Sequence, residues 1–542
     1  MTIKHLAFLS KTKAWQLHVL SIFLLSGMSL SAQIADPRTT IQKFNAAFHL
    51  INIAYVDSVD QSKLIETAII EMLEELDPHS TYISREEVER ANEPLLGNFE
   101  GIGIQFQLFH DTIVVISPIP GGPSDKLGIL AGDKIIRINE ENSTGSQITN
   151  SWVLERLRGN KGTKVDVHIQ RQGRKELMHF TIIRDRIPIH SIDATYMIDS
   201  NTGYIRLNRF SRTSMQEFQQ SINQLRQQGL QNLILDLRNN SGGFLDIAVD
   251  LSDEFLDRNK LIVYTQGLRS PRQDFRSTAL GNFQQGRLII LINEGSASAS
   301  EIVAGAVQDW DRGLVMGRRS FGKGLVQRPF VLPDSSVIRL TTATYFTPSG
   351  RSIQKPYDQG IEAYHDEIQQ RLAHGEMVYA DSIQFPDTLQ FLTSRNRIVY
   401  GGGGIMPDIF LPADTSAITP YYTQIWRKGI INSFVMNHLN ANRRRLQKDY
   451  DDFEHFYHNF LVDEKLMEQF VSFAETEGVP RDPEGLAISG NYIAVLLKAF
   501  LARNLFDLNA YYRIVSKIDP ELQQAIKTIK QEETFKDILG FK

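Results

Sequence analysis

The chain has 542 residues, 42% hydrophobic and 22% charged, with a formal net charge of −5 and no cysteine. This length exceeds one ordinary core and predicts roughly three or four domains. The weakly acidic balance argues against a nucleic-acid partner, and the missing thiol excludes disulfides, thiol catalysis and thiolate metal sites.

Met1–Gln33 carries lysines at 4, 11 and 13, an apolar segment around Leu17–Leu30, and then Ser29-Leu30-Ser31-Ala32-Gln33. This pattern predicts a signal peptide over residues 1–32, cut after Ala32, although Leu30 departs from the small residue expected three positions back. The competing reading is an uncleaved amino-terminal anchor, for which the segment, interrupted by Gln16 and His18, is short. No other segment reads as membrane-spanning, so the mature chain is expected to be soluble. In a bacterial cell it would be exported to the periplasm, the alternative being an inner-membrane anchor facing that compartment.

Residues 37–96 read as an amino-terminal helical domain. Ile41, Phe44, Ala47 and Phe48 make one apolar face, and Leu64, Ile65, Ala68, Ile69, Met72 and Leu73 another. Asp77-Pro78-His79-Ser80-Thr81-Tyr82 ends the helical pattern, and with no second histidine at ligand spacing Asp77 and His79 read as a capped turn rather than a metal site. Residues 97–186 alternate short strands with turns. Gly101-Ile102-Gly103-Ile104 precedes a strand, Ile113–Ile116 is another, Pro120–Ser124 turns into a short helix, and Trp152–Arg158 is a longer helix.

Residues 187–412 read as an open α/β sheet. Thr202–Leu207 is a strand, Thr213–Gln228 an amphipathic helix, and Asn232–Leu237 a buried strand followed by the corner Arg238-Asn239-Asn240-Ser241-Gly242-Gly243. Leu288–Ile292 is an unbroken apolar run, expected to be buried on both faces. Ser296–Glu301 then leads into a helix with Ile302, Val303, Ala306 and Val307 on one stripe. Ser298 and Glu301 match a capping box. The same geometry would hold a serine at the positive end of a helix, where N–H groups can stabilise an oxyanion. Two glycine corners at strand ends are how such a sheet builds a site, so Gly242 or Gly243 is expected to present an N–H beside Ser298, with Ala299 N–H as the second donor. Lys323 lies between glycines in Phe321-Gly-Lys-Gly324, and becomes a base only if burial or a helix end lowers its pKa. Asp236 has no histidine partner among these motifs for a Ser-His-Asp mechanism. Gly401–Gly404 lacks the ending of a phosphate loop and reads as a flexible connection; the insert Tyr357–Asn396 reads as polar and peripheral. Residues 413–542 are helical, with Phe453, Phe456, Tyr457 and Phe460 on one stripe.

Gly295-Ser-Ala-Ser-Ala-Ser-Glu301, Ile302-Val-Ala-Gly-Ala306, Phe321-Gly-Lys-Gly324 and Gln327 resemble the carboxy-terminal processing peptidases, or tail-specific proteases, and DPHSTY and DLRNNSGG resemble their helical and glycine motifs. The likeness covers roughly residues 40–412. It implies Ser298 as nucleophile, Lys323 as general base, Gln327 orienting the lysine, and one oxyanion donor from the glycine motif. The phrases EGIGI, SPIPGGPSDKLGILAGDKIIRIN and LRGNKGT look like a PDZ domain, which holds a peptide as an added strand. In it Gly101, Ile102, Gly103 and Ile104 would cradle the terminal carboxylate, and Arg158 would sense occupancy.

The expected fold is thus a multidomain α/β protein with an open mixed-sheet protease core, an inserted PDZ domain and helical ends. The expected activity is a serine endopeptidase acting on proteins with unstructured apolar carboxy-terminal tails, with no cofactor or metal, an adaptor protein and a homodimer as partner expectations. The rival is a protein of the same architecture that binds a peptide without cutting it. A third reading is an enzyme held inactive by its PDZ domain until a tail binds.

Overall fold

The computed structural model describes residues 36–109, 111–383 and 387–540. The expected signal peptide, residues 1–32, lies outside the described residues. The chain divides after Met72. The amino-terminal unit holds the helix Pro37–Ala54, whose start is capped by Asp36 accepting from Arg38 N–H at 3.1 Å with proline at the first helical position. Ile41 and Phe44 on its apolar face are exposed.

In the second unit the central sheet runs, in spatial order, Ile192–Met197, Thr202–Leu207, Asn232–Asp236, Leu288–Ile292, Leu314–Gly317 and Ile409–Phe410. The first pair is antiparallel and the rest are parallel, giving an open mixed sheet. Leu288–Ile292 is buried at every position, as its unbroken apolar run predicts. Strand alternation divides it between two cores. Leu288, Ile290 and Ile292 pack with residues of the helices Ser214–Gln227, Leu245–Asp253 and Ala299–Asp309. Ile289 and Leu291 pack on the other face against Leu522, Ala525, Ile529, Phe535 and Leu539.

The last two helices, Pro520–Lys530 and Glu532–Leu539, therefore form the third layer over the central sheet, a place that nothing in the tail's own sequence signals. Ion pairs fix them: Arg238 bonds Asp519 at 2.7 Å and Glu521 at 2.9 Å. Residues 420–515 form a separate helical core around Ile425, Phe434, Phe456, Phe470, Ile493 and Leu497. Within it the helix Pro483–Leu505 is long and apolar enough to cross a membrane by length and composition, which corrects the expectation that no segment beyond the amino terminus reaches that length. Its residues Ile493, Leu496, Leu497 and Leu501 are buried in this helical core.

A second, antiparallel sheet contains Leu325–Val331, Val337–Phe346, Leu261–Gly267 and Ser270–Arg276. Thr81–Ile83 joins it by pairing with Val337–Phe346, so the DPHSTY segment, expected to end a helical domain, is built into this second sheet. The chain then leaves through the strand Asn98–Gly101 and returns through Asp185–Pro188, which pair antiparallel as the neck of an inserted domain. That insert is a sheet ordered Ile104–Phe109, Thr112–Pro118, Lys134–Ile138, Lys164–Gln170 and Met178–Ile183, with the helix Asn150–Leu157 on it. Its edge strand Ile104–Phe109 pairs on one side only.

Candidate active site

Ser298 is the residue before the helix Ala299–Asp309, and it has φ 54° and ψ −110°. A non-glycine residue held there stores about 1–3 kcal/mol of backbone strain, which persists only where surrounding bonds over-determine it. Those bonds converge on Glu301. One of its carboxylate oxygens, Oε2, accepts from Ser298 N–H at 2.7 Å and from Lys323 N–H at 2.9 Å. The other, Oε1, accepts from Gly322 N–H at 2.7 Å and Ser320 Oγ–H at 2.5 Å. The glutamate of the expected capping box thus fastens the serine corner to the lysine loop. Its carboxyl is fully buried, and burial pushes its pKa up to about 7 against the pull of these four donors.

Tyr345 makes a second fastening. Its hydroxyl lies 3.1 Å from Ser298 O and 2.7 Å from Lys323 O. The lysine side chain is half-buried, and its Nζ donates to Gln327 Oε1 at 3.2 Å. Gln327 is oriented in turn by donating from Nε2 to the carbonyl of His79. Burial lowers the Lys323 pKa, opposed by the carboxylates of Asp77 and Glu301. His79, brought in by the DPHSTY turn, is itself lowered to about 4 by burial and by Lys323, so its ring is neutral near pH 7. Asp77 holds the turn by accepting from His79 N–H at 2.9 Å and Ser80 Oγ–H at 2.6 Å, as a capping aspartate does.

The two glycines of the Asn239–Gly243 corner differ. Gly242 has φ 102°, and a Cβ there would lie 2.9 Å from Ser298 Cβ and 3.0 Å from Ala299 N, so only glycine allows this approach. Its N–H is already given to Asn240 Oδ1 at 2.9 Å. Gly243 has φ 149°, and a Cβ there would meet Phe210 O at 2.1 Å. Its N–H has no acceptor among the described residues, and neither has Ala299 N–H, which begins the helix. Asp236 is occupied beneath this corner. Burial would raise its pKa, but Arg238 and Arg206 hold it well below the usual carboxylate range.

Two expectations about the rim are corrected. The insert after Tyr357 is not peripheral, because its helix Ile361–Ala373 packs behind the lysine loop. Tyr364 is buried with its hydroxyl 2.7 Å from His79 Nε2, and Arg371 donates to Ser320 O at 3.1 Å and Arg319 O at 2.7 Å. Nor is Gly401–Gly404 a loose connection. Gly402 N–H and Gly404 N–H bond Ser352 O and Ile353 O at 2.7 and 2.8 Å, and a Cβ on Gly404 would meet Ser320 O at 2.7 Å. The glycines let this segment lie flat on the lysine loop.

In the inserted domain Ile102 and Gly103 give their carbonyls away, to Ser124 N–H and Oγ–H and to Ile119 N–H, while the Gly103 N–H has no acceptor among the described residues. Gly101 bridges Arg158, and Ile104 begins the free edge strand. Arg158 ion-pairs with Glu93 of the helix Val88–Leu96 and lies 4.9 Å over the Phe99 ring.

Removing the Gln327 amide should loosen the lysine while leaving the Glu301 bonds to the backbone intact. Gln327→Ala is expected to lower kcat about 10–100-fold with little change in KM, as positioning losses do, checked by steady-state kinetics on an unfolded substrate.

The sequence matches peptidase family S41 over residues 201–363, a PDZ domain over 101–182, the amino-terminal domain of the activating protease CtpB over 25–87, and a family of unknown function over 421–507. It is 37% identical to a carboxy-terminal-processing protease of Bartonella bacilliformis, over 61% of this chain and 80% of that one. It is 33% identical to the carboxy-terminal processing protease CtpA of Bacillus subtilis, over 62% and 72%. Among solved structures, the photosystem II D1 C-terminal processing protease aligns at 29% identity over 57% of this chain and 89% of that one, with a TM-score of 0.33.

Proposed function

Because the chain belongs to the carboxy-terminal processing proteases of peptidase family S41, serine-type peptidases here carrying a PDZ domain, we propose that it cuts proteins bearing unstructured apolar carboxy-terminal tails by a Ser298–Lys323 dyad. The observation that carries this reading is the single Glu301 oxygen that binds the backbones of both residues. Ser298 Oγ attacks the scissile carbonyl carbon as its proton passes to the neutral Lys323 amine. The oxyanion forms against Ala299 N–H and Gly243 N–H, Gly242 being the residue whose missing side chain opens the approach; each such donor is worth roughly 3 kcal/mol in the transition state. The C–N bond then breaks as the Lys323 ammonium returns the proton to the leaving amine. Water attacks the acyl-serine with the same lysine as base.

The PDZ domain docks the tail as an added strand on Ile104–Phe109, with Gly103 N–H receiving its carboxylate. Arg158, tied to Glu93 beside this loop, reports occupancy to the helix Val88–Leu96. The exported, periplasmic location follows from the amino-terminal pattern alone, an inner-membrane anchor being its alternative. Exposed Ile41, Phe44, Leu50 and Ile53 support a homodimer through the amino-terminal helix.

The test is the pH dependence of the single-turnover rate. Lys323 must be neutral, so activity rises as pH rises through its depressed pKa. Glu301 must be ionised to accept its four donors, so its titration near about 7 acts in the same direction. The expected profile therefore climbs from acid to alkaline pH, with a slope above one in log rate below neutrality. A flat profile between about pH 6 and 9, with chemistry limiting, would overturn the lysine base.

A further inference from the structure

The PDZ groove has a second wall. A cavity of ≈ 800 Å³ is lined on one side by Ile104 and Phe106 of the edge strand and Leu157 of the helix Asn150–Leu157, and on the other by Arg443, Arg503 and Phe506 of the carboxy-terminal helical domain. The pleat divides what faces each wall. Ile104, Phe106 and Leu108 pack toward the PDZ core. Gln105 and Gln107 face the helical domain, where Arg503 Nη2 donates to Gln105 Oε1 at 2.5 Å and Asn432 Nδ2 to Gln107 Oε1 at 3.0 Å. A peptide added to this edge alternates likewise, so its last and third-last side chains face Leu157 and its penultimate side chain faces Arg503.

The helical wall is unsatisfied and positive. Arg443 Nη2 and Asn504 Oδ1 are buried there without hydrogen-bond partners, as is Arg158 Nε across the cavity. Buried polar groups are costly until something pairs with them. Arg443 and Arg503 have no carboxylate within ion-pair distance among the described residues, and the three aspartates lining the cavity each hold a hydrogen bond elsewhere. Asp125 accepts from Gly121 N–H, Asp193 from Asn208 and Tyr512, and Asp507 from Ala510 N–H.

We propose that the carboxy-terminal helical domain is a specificity wall of the tail groove, in which Arg503, backed by Arg443, selects tails with an acidic penultimate residue behind an apolar last one. This rests on the PDZ domain docking free carboxy termini. The experiment measures fluorescence-anisotropy affinities of short peptides ending in Glu-Leu, Gln-Leu or Lys-Leu, each as free acid and as amide, for the full chain carrying Ser298→Ala. The Glu-Leu acid should bind about tenfold tighter than the Lys-Leu acid; adding Arg503→Gln should erase that preference, and Arg503→Glu should invert it. Free acids that bind with no penultimate preference, or with a preference that Arg503→Glu leaves unchanged, overturn the proposal and spare tail docking. Peptides that do not bind, or amides that bind as tightly as acids, overturn tail docking and this proposal with it.

Discussion

Lys323→Ala is expected to retain the fold and lose cleavage by about 10⁴-fold or more, the scale on which a serine nucleophile without its base falls back on binding and oxyanion stabilisation. The backbone explains why the fold survives. The Lys323 N–H, not its side chain, bonds Glu301, and the loop is further held by Lys355 N–H on Gly322 O at 2.9 Å and Gly324 N–H on Gln354 Oε1 at 2.8 Å. The amine itself bonds only Gln327 Oε1 among the described residues. Lys323→Arg should fail equally, since a guanidinium stays charged at every working pH and cannot accept the serine proton. The comparison is read by single-turnover cleavage of an unfolded substrate, with circular dichroism confirming the folded state of each variant.

Glu301→Gln is expected to be nearly as damaging, although the residue touches neither substrate nor the reacting atoms. Four donors converge on two carboxylate oxygens. An amide replaces one oxygen by an NH₂, which sets donor against donor whichever way it turns. Each stranded donor costs about 1–3 kcal/mol, and the lysine loop would shift relative to the Ser298 corner. The expected result is a loss of at least about 100-fold in kcat with near-normal tail affinity. Restoring the carboxylate on a shorter stem, Glu301→Asp, should recover part of the activity and keep the acid limb of the pH profile. If Glu301→Gln retained full activity with an unchanged pH profile, Glu301 would be only a helix cap.

Much of this site is legible in the chain because its parts are local. The apolar run Leu288–Ile292 and the capping pattern Ser298 to Glu301 place a serine at a strand-to-helix corner, and the structure has that corner with the helix beginning at Ala299. The likeness to a protease family adds Lys323 and Gln327, which the structure joins at 3.2 Å. The sequence left Gly242 and Gly243 undecided, since adjacent glycines look alike until the Asn240 side chain claims one N–H. Long-range partners were hidden for the same reason. The pairing of His79 O with Gln327 spans 248 residues, and that of Tyr364 with His79 spans 285. Arg371 and Tyr364 belong to a stretch that reads as polar filler, because helical charge patterns do not reveal which loop a helix covers. Nor does the last helical stretch carry any local sign that Leu522, Ile529 and Phe535 meet Ile289 and Leu291.

The most direct measurement is the cleavage of an unfolded protein with an apolar carboxy terminus by the wild-type chain and by Ser298→Ala, followed by intact mass spectrometry of the products. The dyad predicts defined fragments from wild type and intact substrate from the variant, with the variant still binding the tail. Fragments of the same masses from Ser298→Ala would contradict it, because the nucleophile would then lie elsewhere.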